Sequence, residues 1–211
     1  MTPGDSAAAA PAGEPLVLRF LAQALQNRNN RLILERLPTL GLDDAWLVAG
    51  CLFQTVWNLQ SGRAPTAGIK DYDLFYFDAT DLSEQAESAV GDRVQAAFRG
   101  LGITIEAKNQ ARVHTWYPRW FGQPYPALAS TRDGIDRFLV PCTCVGLRDA
   151  SGTPASLYAP HGLVELYQGV LRPNSLCDHR VLFRAKAASY RSRWPWLQIT
   201  ETAQPVAAPD D

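Results

Sequence analysis

Ile69-Lys70-Asp71-Tyr72-Asp73-Leu74-Phe75-Tyr76-Phe77-Asp78 is the stretch on which the reading of this chain turns. Its aromatic density is that of a β-strand. Side chains alternate along a strand, so Asp71 and Asp73 share one face, which is expected to continue inward through Phe75 and Phe77. Two carboxylates about 6 Å apart in an effective dielectric near 20 repel by roughly 3 kcal/mol, so a positive group is expected beside them. A hard divalent cation, Mg²⁺ or alternatively Mn²⁺, would answer, because it prefers carboxylate and phosphate oxygens. The plainer alternative has Asp71 capping the turn after Gly68 while Asp73 pairs with Lys70 or an arginine.

Upstream, the apolar run Ala45-Trp46-Leu47-Val48-Ala49 ends at Gly50, and Cys51 to Leu59 then carries a helical pattern closed by Ser61-Gly62. A glycine between a strand and a helix lets backbone N–H groups approach a phosphate at the positive end of the helix dipole; by itself it also marks an ordinary tight turn. Downstream, Ser83 is a suitable N-cap for a helix over Glu84 to Arg99, whose apolar face is Ala86, Val90, Val94 and Ala97. Ile103 to Ala107 reads as the next strand. It carries Glu106, placed to be a third acid in a two-metal cradle. Alternating strands and helices predict an α/β (α+β) fold, a small mixed sheet flanked by helices.

Around this centre, Pro15 to Leu37 reads as two short helices broken at Asn27 to Asn30. Further helices are expected from Arg112 to Pro118, Thr131 to Phe138, Gly162 to Leu171 and His179 to Trp194, with a strand over Thr143 to Leu147. Both ends are rich in Ala and Pro, so residues 1–14 and 200–211 are expected to be disordered tails around a single domain at 15–199. Of 211 residues, 46% are hydrophobic, enough for one substantial core. Twenty basic and 21 acidic side chains leave a formal charge of -1, which excludes whole-molecule attraction to nucleic acid or anionic lipid. No apolar run reaches the ~18 residues of a membrane span, the N-terminus lacks a basic region before its alanines, and the four cysteines form no C-x-x-C pair. A reduced, cytoplasmic protein without membrane association is expected.

The order of glycine turn, helix, D-x-D strand and later acid resembles the nucleotidyltransferase superfamily of DNA polymerase beta type. More closely, Trp46 to Trp196 resembles an uncharacterised bacterial family of nucleotidyltransferase-like proteins. The resembling pieces are Leu47-Val48-Ala49-Gly50 with Val56-Trp57-Asn58, Asp71-Tyr72-Asp73 with Tyr76-Phe77-Asp78, Lys108-Asn109-Gln110-Ala111-Arg112-Val113-His114, Tyr158-Ala159-Pro160-His161-Gly162-Leu163 and Val170-Leu171-Arg172-Pro173-Asn174. The resemblance implies metal-dependent transfer of a nucleoside monophosphate from a nucleoside triphosphate to the hydroxyl of an unidentified acceptor, a small molecule, a protein or RNA. Asp71, Asp73 and Glu106 would be the catalytic and metal-holding acids. Gly50 and Cys51 would lie under the triphosphate, with Lys70, Asn109, Gln110 and Arg112 as further nucleotide contacts. Cys51 departs from the Ser or Gly usual after the glycine, and a thiol is a poor donor. The alternative is a catalytically inactive nucleotide-binding or protein-interaction module that keeps the fold.

The remaining features have competing explanations. Asn109, Gln110 and Arg112 form either a site wall or a polar loop that steadies Glu106. Arg180, Arg184 and Arg191 make a basic stripe on the last helix, opposite Val181, Ala185 and Ala188; it is either a solvated face or the border of the cleft. His161 reads as a turn residue, His179 as surface, and Cys142 with Cys144 as two thiols on one strand face. Trp194 and Trp196, flanking Pro195, read as a core plug.

Overall fold

The structure is a computed structural model and describes residues 15–177 and 179–202. The expected tail at 1–14, and residues 203–211 of the one expected at 200–211, lie outside them.

Two short helices open the fold, α1 (Leu16–Ala24) and α2 (Arg28–Arg36). The asparagine break caps the second, since Asn27 accepts from the N–H of Asn29 at 3.0 Å and of Asn30 at 3.5 Å. Next come β1 (Trp46–Val48), α3 (Gly50–Gln60), β2 (Asp71–Tyr76), α4 (Glu84–Ala97) and β3 (Thr104–Asn109). Ser83 caps α4, accepting from Ala86 N–H at 3.2 Å, and Glu84 and Glu87 occupy the first turn, where the helix dipole favours acids. The rest comprises α5 (Val113–Phe121), α6 (Thr131–Ile135), β4 (Gly146–Leu147), β5 (Leu157–Tyr158), α7 (Val164–Gln168), β6 (Val170–Leu171), α8 (Arg180–Arg193) and β7 (Gln198–Ile199). Among the described residues no helix is long and apolar enough to cross a membrane.

Five strands form one mixed sheet in the order β3-β2-β1-β4-β5. β2 and β3 are parallel, with α4 between them in sequence, and the other neighbours are antiparallel. This is the expected sheet flanked by helices. β6 and β7 pair separately.

The two faces of β2 differ. Tyr72, Leu74 and Tyr76 are buried, whereas Asp71, Asp73 and Phe75 are half-buried. The main core therefore lies on the face opposite the acids, where Leu47, Leu52, Val56, Val94, Ile105 and Ala107 pack against the even residues of β2. The expectation that the acidic face runs inward through Phe75 and Phe77 is corrected. Phe75 instead joins a smaller cluster of Trp46, Val48, Ile135 and Phe138 on the acidic side, its ring 5.6 Å from that of Phe138. Phe77 lies beyond the strand.

Most of α3 is buried, and an aromatic cluster ties it to α8. Trp57 meets Tyr190 at 5.5 Å and Trp194 at 5.3 Å, and its indole N–H donates to the Leu166 carbonyl at 3.0 Å. Trp194 is the expected plug, donating to Asn58 Oδ1 at 3.2 Å, while Trp196 is partly buried and donates to Ser61 Oγ at 3.1 Å. The helix expected over Gly162 to Leu171 is reduced to α7 because Gly169, at φ 73°, reverses the chain against Trp196. A Cβ at Gly169 would lie 2.3 Å from that indole, so only glycine fits. Thr143 does not begin a strand; it ends a tight turn over Pro141–Thr143.

Candidate active site

The acids are placed by strand register. In the parallel β2–β3 ladder, Asp71 pairs with Thr104, Asp73 with Glu106 and Phe75 with Lys108, so Glu106 shares the acidic face. Burial first, then the Asp71 charge and then the Glu106 charge push the Asp73 carboxyl up to about 6, against opposing pulls from Lys186 and Lys108. Neither Asp71 nor Asp73 has a side-chain hydrogen bond or ion pair among the described residues. That removes the reading in which Asp71 caps a turn and Asp73 pairs with Lys70 or an arginine. The third acid is close but engaged, since Glu106 Oε2 lies 3.3 Å from Lys108 Nζ. Among the described residues no group of three His, Cys, Asp or Glu side chains is gathered as a metal site.

The turn into α3 meets the same face. Val48 pairs with Asp73 across the antiparallel β1–β2 ladder, so the chain leaving β1 passes the Asp71 end of β2. The strained residue here is Ala49, at φ 52° and ψ -116°, a conformation that L-residues rarely adopt. Its N–H is held by the Val145 carbonyl at 3.0 Å, and its carbonyl accepts from Leu52 at 2.9 Å and Phe53 at 3.2 Å. The Gly50 and Cys51 N–H groups at the head of α3 have no backbone acceptor among the described residues. Gly50 is itself helical; its lack of a side chain leaves room, since a Cβ there would meet Gln54 Nε2 at 3.0 Å. The Cys51 thiol is fully buried beneath the turn, with Sγ 3.6 Å from the Val48 carbonyl. Burial, with Asp73 next, pushes it well up, so it stays a neutral thiol. Any contact of Cys51 with a phosphate is therefore a backbone contact, and its departure from Ser or Gly costs the site no side-chain donor.

These elements open on a cleft of about 690 Å³ lined by Gly50, Asp71, Asp73, Arg137, Lys186 and Ser189 among others. Lys186 and Arg137 have no acidic partner among the described residues, so the wall facing the aspartates is cationic. Sequence reasoning missed both. The helical stripe it did identify points elsewhere. Arg180 donates to the Glu201 carbonyl at 2.7 Å and Arg184 forks onto the Glu201 carboxylate at 3.1 and 3.2 Å. The available signal was on the other side of α8, a single lysine between the small residues Ala185 and Ser189.

The remaining candidates lie outside this cleft. Asn109 is buried and accepts from the N–H groups of Asp78 at 3.0 Å and Ala111 at 3.1 Å while donating to the Asp78 carbonyl at 2.7 Å. It holds the turn after β2 to the end of β3. Arg112 is paired with Glu87 and donates to the Leu82 carbonyl at 3.2 Å. Gln110 presses on Gly134, where a Cβ would lie 2.1 Å from Gln110 Oε1. Gln110 and Arg112 instead help to line a second cleft of about 830 Å³ beyond Phe75. Lys70 is exposed and lines neither cleft. Cys142 and Cys144 are buried free thiols, and the His179 ring lies 5.7 Å from that of Tyr117.

Two unpartnered carboxylates, a helix start with free N–H groups and two unpaired cations facing one another suit a polyphosphate held with a cation. Hard oxygen donors and the uncompensated charge on Asp73 fit Mg²⁺ or Mn²⁺. None of the curated proteins matches this chain. A solved structure whose title reads "The NMR structure of the protein reveals a CCA-adding enzyme head domain" is similar over 87% of this chain and 95% of its own, with 26% identity and a TM-score of 0.71. Residues 35–199, from the end of α2 through the acids and the cationic wall to β7, match the family described as Nucleotidyltransferase, and the chain belongs to that family.

Proposed function

We propose that this protein transfers a nucleoside monophosphate from a nucleoside triphosphate to an acceptor hydroxyl in the cleft between the Gly50 turn and α8. One observation carries the reading: Asp71 and Asp73 stand without partners on one wall while Lys186, Arg137 and the N-terminus of α3 face them. The Gly50 and Cys51 N–H groups hold triphosphate oxygens, and Lys186 neutralises the leaving pyrophosphate from across the cleft. Asp71 and Asp73 would hold Mg²⁺ or Mn²⁺, which would draw charge from the α-phosphate and acidify the attacking hydroxyl. Glu106 repels Asp73 and so sharpens its demand for a positive partner. The similarity to a CCA-adding enzyme head domain supports nucleotidyl transfer as the reaction class.

A second reading, nucleotide binding without turnover, is favoured by the Glu106–Lys108 pair, which occupies the nearest third acid. Incubation with α-labelled nucleoside triphosphates, Mg²⁺ and a cell extract separates the two. Label transfer abolished by Asp73→Asn supports the enzyme. Metal-dependent thermal stabilisation by ATP without any transfer supports the silent module, and neither effect would refute both.

A further inference from the structure

The second cleft adjoins the first, and Tyr117, Phe121, Arg137 and Phe138 line both. Register sets their order. The Gly50 turn lies at the Asp71 end of β2, and Phe75, beside Lys108 of β3, lies two residues beyond Asp73, about 7 Å at the rise of an extended strand. In-line displacement needs the nucleophile and the leaving group on opposite sides of the phosphorus. With the triphosphate over the Gly50 turn, the nucleophile arrives from the Phe75 side, where the second cleft opens.

We propose that this second cleft seats the acceptor, a small molecule bearing a hydroxyl, a planar aromatic ring and an anionic group; the proposal rests on the nucleotidyl-transfer reading above. The acceptor oxygen bonds to the α-phosphorus as the bond to the bridging oxygen of pyrophosphate breaks. The hydroxyl proton goes to solvent and pyrophosphate leaves with the electron pair.

Rings dominate the walls, chiefly Trp116, Tyr117, Trp120 and Tyr125. Trp120 is 75% exposed, a platform left open to water at the mouth. Charge selects an anion. Arg119 and Arg137 have no acidic partner among the described residues, Arg112 already neutralises Glu87, Glu106 holds Lys108, and Glu84 remains as the unpaired acid on the wall. Size and charge select a small molecule. A cleft of about 830 Å³ matches small-molecule sites, and a chain of net charge -1 offers no general pull on a polyanion.

The full chain, with Mg²⁺ and a non-hydrolysable ATP analogue bound, is titrated with 4-hydroxybenzoate and AMP and with their neutral counterparts 4-hydroxybenzamide and adenosine. The Trp116 and Trp120 indole N–H resonances are followed by NMR. The anionic probes should move both signals and bind about tenfold more tightly than the neutral ones, and Trp120→Ala or Arg119→Glu should remove about tenfold of that affinity. Both substitutions fall on exposed residues, so the melting temperature should hold. Unmoved indoles, equal binding of neutral and anionic probes, or unaltered binding by the variants would overturn the proposal. Failure of the nucleotidyl-transfer reading shows separately, as an analogue that leaves the Gly50 and Lys186 signals unmoved. In extract, label should enter a low-molecular-weight product and be lost with Trp120→Ala; label in RNA or protein would refute a small-molecule acceptor.

Discussion

The two faces of β2 obey different rules although they alternate along one hexapeptide. Tyr72, Leu74 and Tyr76 are buried among apolar neighbours, and the Tyr72 hydroxyl accepts from Asn29 Nδ2 at 2.8 Å. On the other face, Asp71 and Asp73 are half-buried, mutually repulsive and unpartnered. The even residues stabilise the strand by burial; Asp71 and Asp73 hold unfavourable electrostatics that a proton or another bound cation would relieve. The strand thus separates apolar burial from its acids by parity.

The sharpest break of that comparison is a pair of single substitutions. Asp73→Asn should cut nucleotidyl transfer by about 10²–10³-fold or more while leaving the melting temperature unchanged or raised. Leu74→Ala, one residue on, should cost about 2–5 kcal/mol in urea unfolding because its cavity lies in the main core. Equal stability losses from both would end the parity argument.

A second test is pH. The folded value of Asp73, about 6, lies above its ordinary 3.8, so between those values the native state holds a proton that the unfolded state has released. Stability of the metal-free protein should fall as pH rises through that window and level off above it, by at most about 3 kcal/mol. Unfolding measured in EDTA across the window should show a negative slope that Asp73→Asn abolishes.

Smaller effects sharpen the picture of the cleft walls. Lys186→Ala should raise KM for the triphosphate about tenfold with stability little changed, since the lysine lines the cleft from the exposed side of α8 and its only described partner is the Tyr190 ring, 5.5 Å from Nζ. Ala49→Gly should stabilise the fold by about 1 kcal/mol by relieving the positive φ, readable as a small rise in melting temperature.

Much of this was legible in the sequence because it is local. D-x-D on an aromatic strand, Ser83 three residues before the donor it caps, and Gly50 at a strand-to-helix junction are all set by near neighbours. Which face of β2 turns inward was not. Aromatic residues occupy both odd and even positions, and the choice is made by α3 and α4 packing on one side. The two-residue strands β4 to β7 exist only through their partners and have no pattern of their own. Lys186 and Arg137 come to the cleft of the acids from distant parts of the chain. The arginine stripe has the right periodicity, but its Arg180 and Arg184 are turned to Glu201, and a helical wheel does not say what a helix faces. Asn109 and Arg112 were candidate nucleotide contacts because they follow Glu106 closely. Their side chains are spent on Asp78 and Glu87, holding together the frame on which Glu106 sits.

The docking of α8 through Trp194 and Tyr190 onto Trp57 has a consequence for biosynthesis. The ribosome makes the Gly50 turn and both aspartates long before Lys186, so the emerging chain carries the repelling acids without that lysine. Only when α8 closes over α3 do the two walls of the cleft coexist. The late aromatic contact therefore couples completion of the cleft to completion of the core.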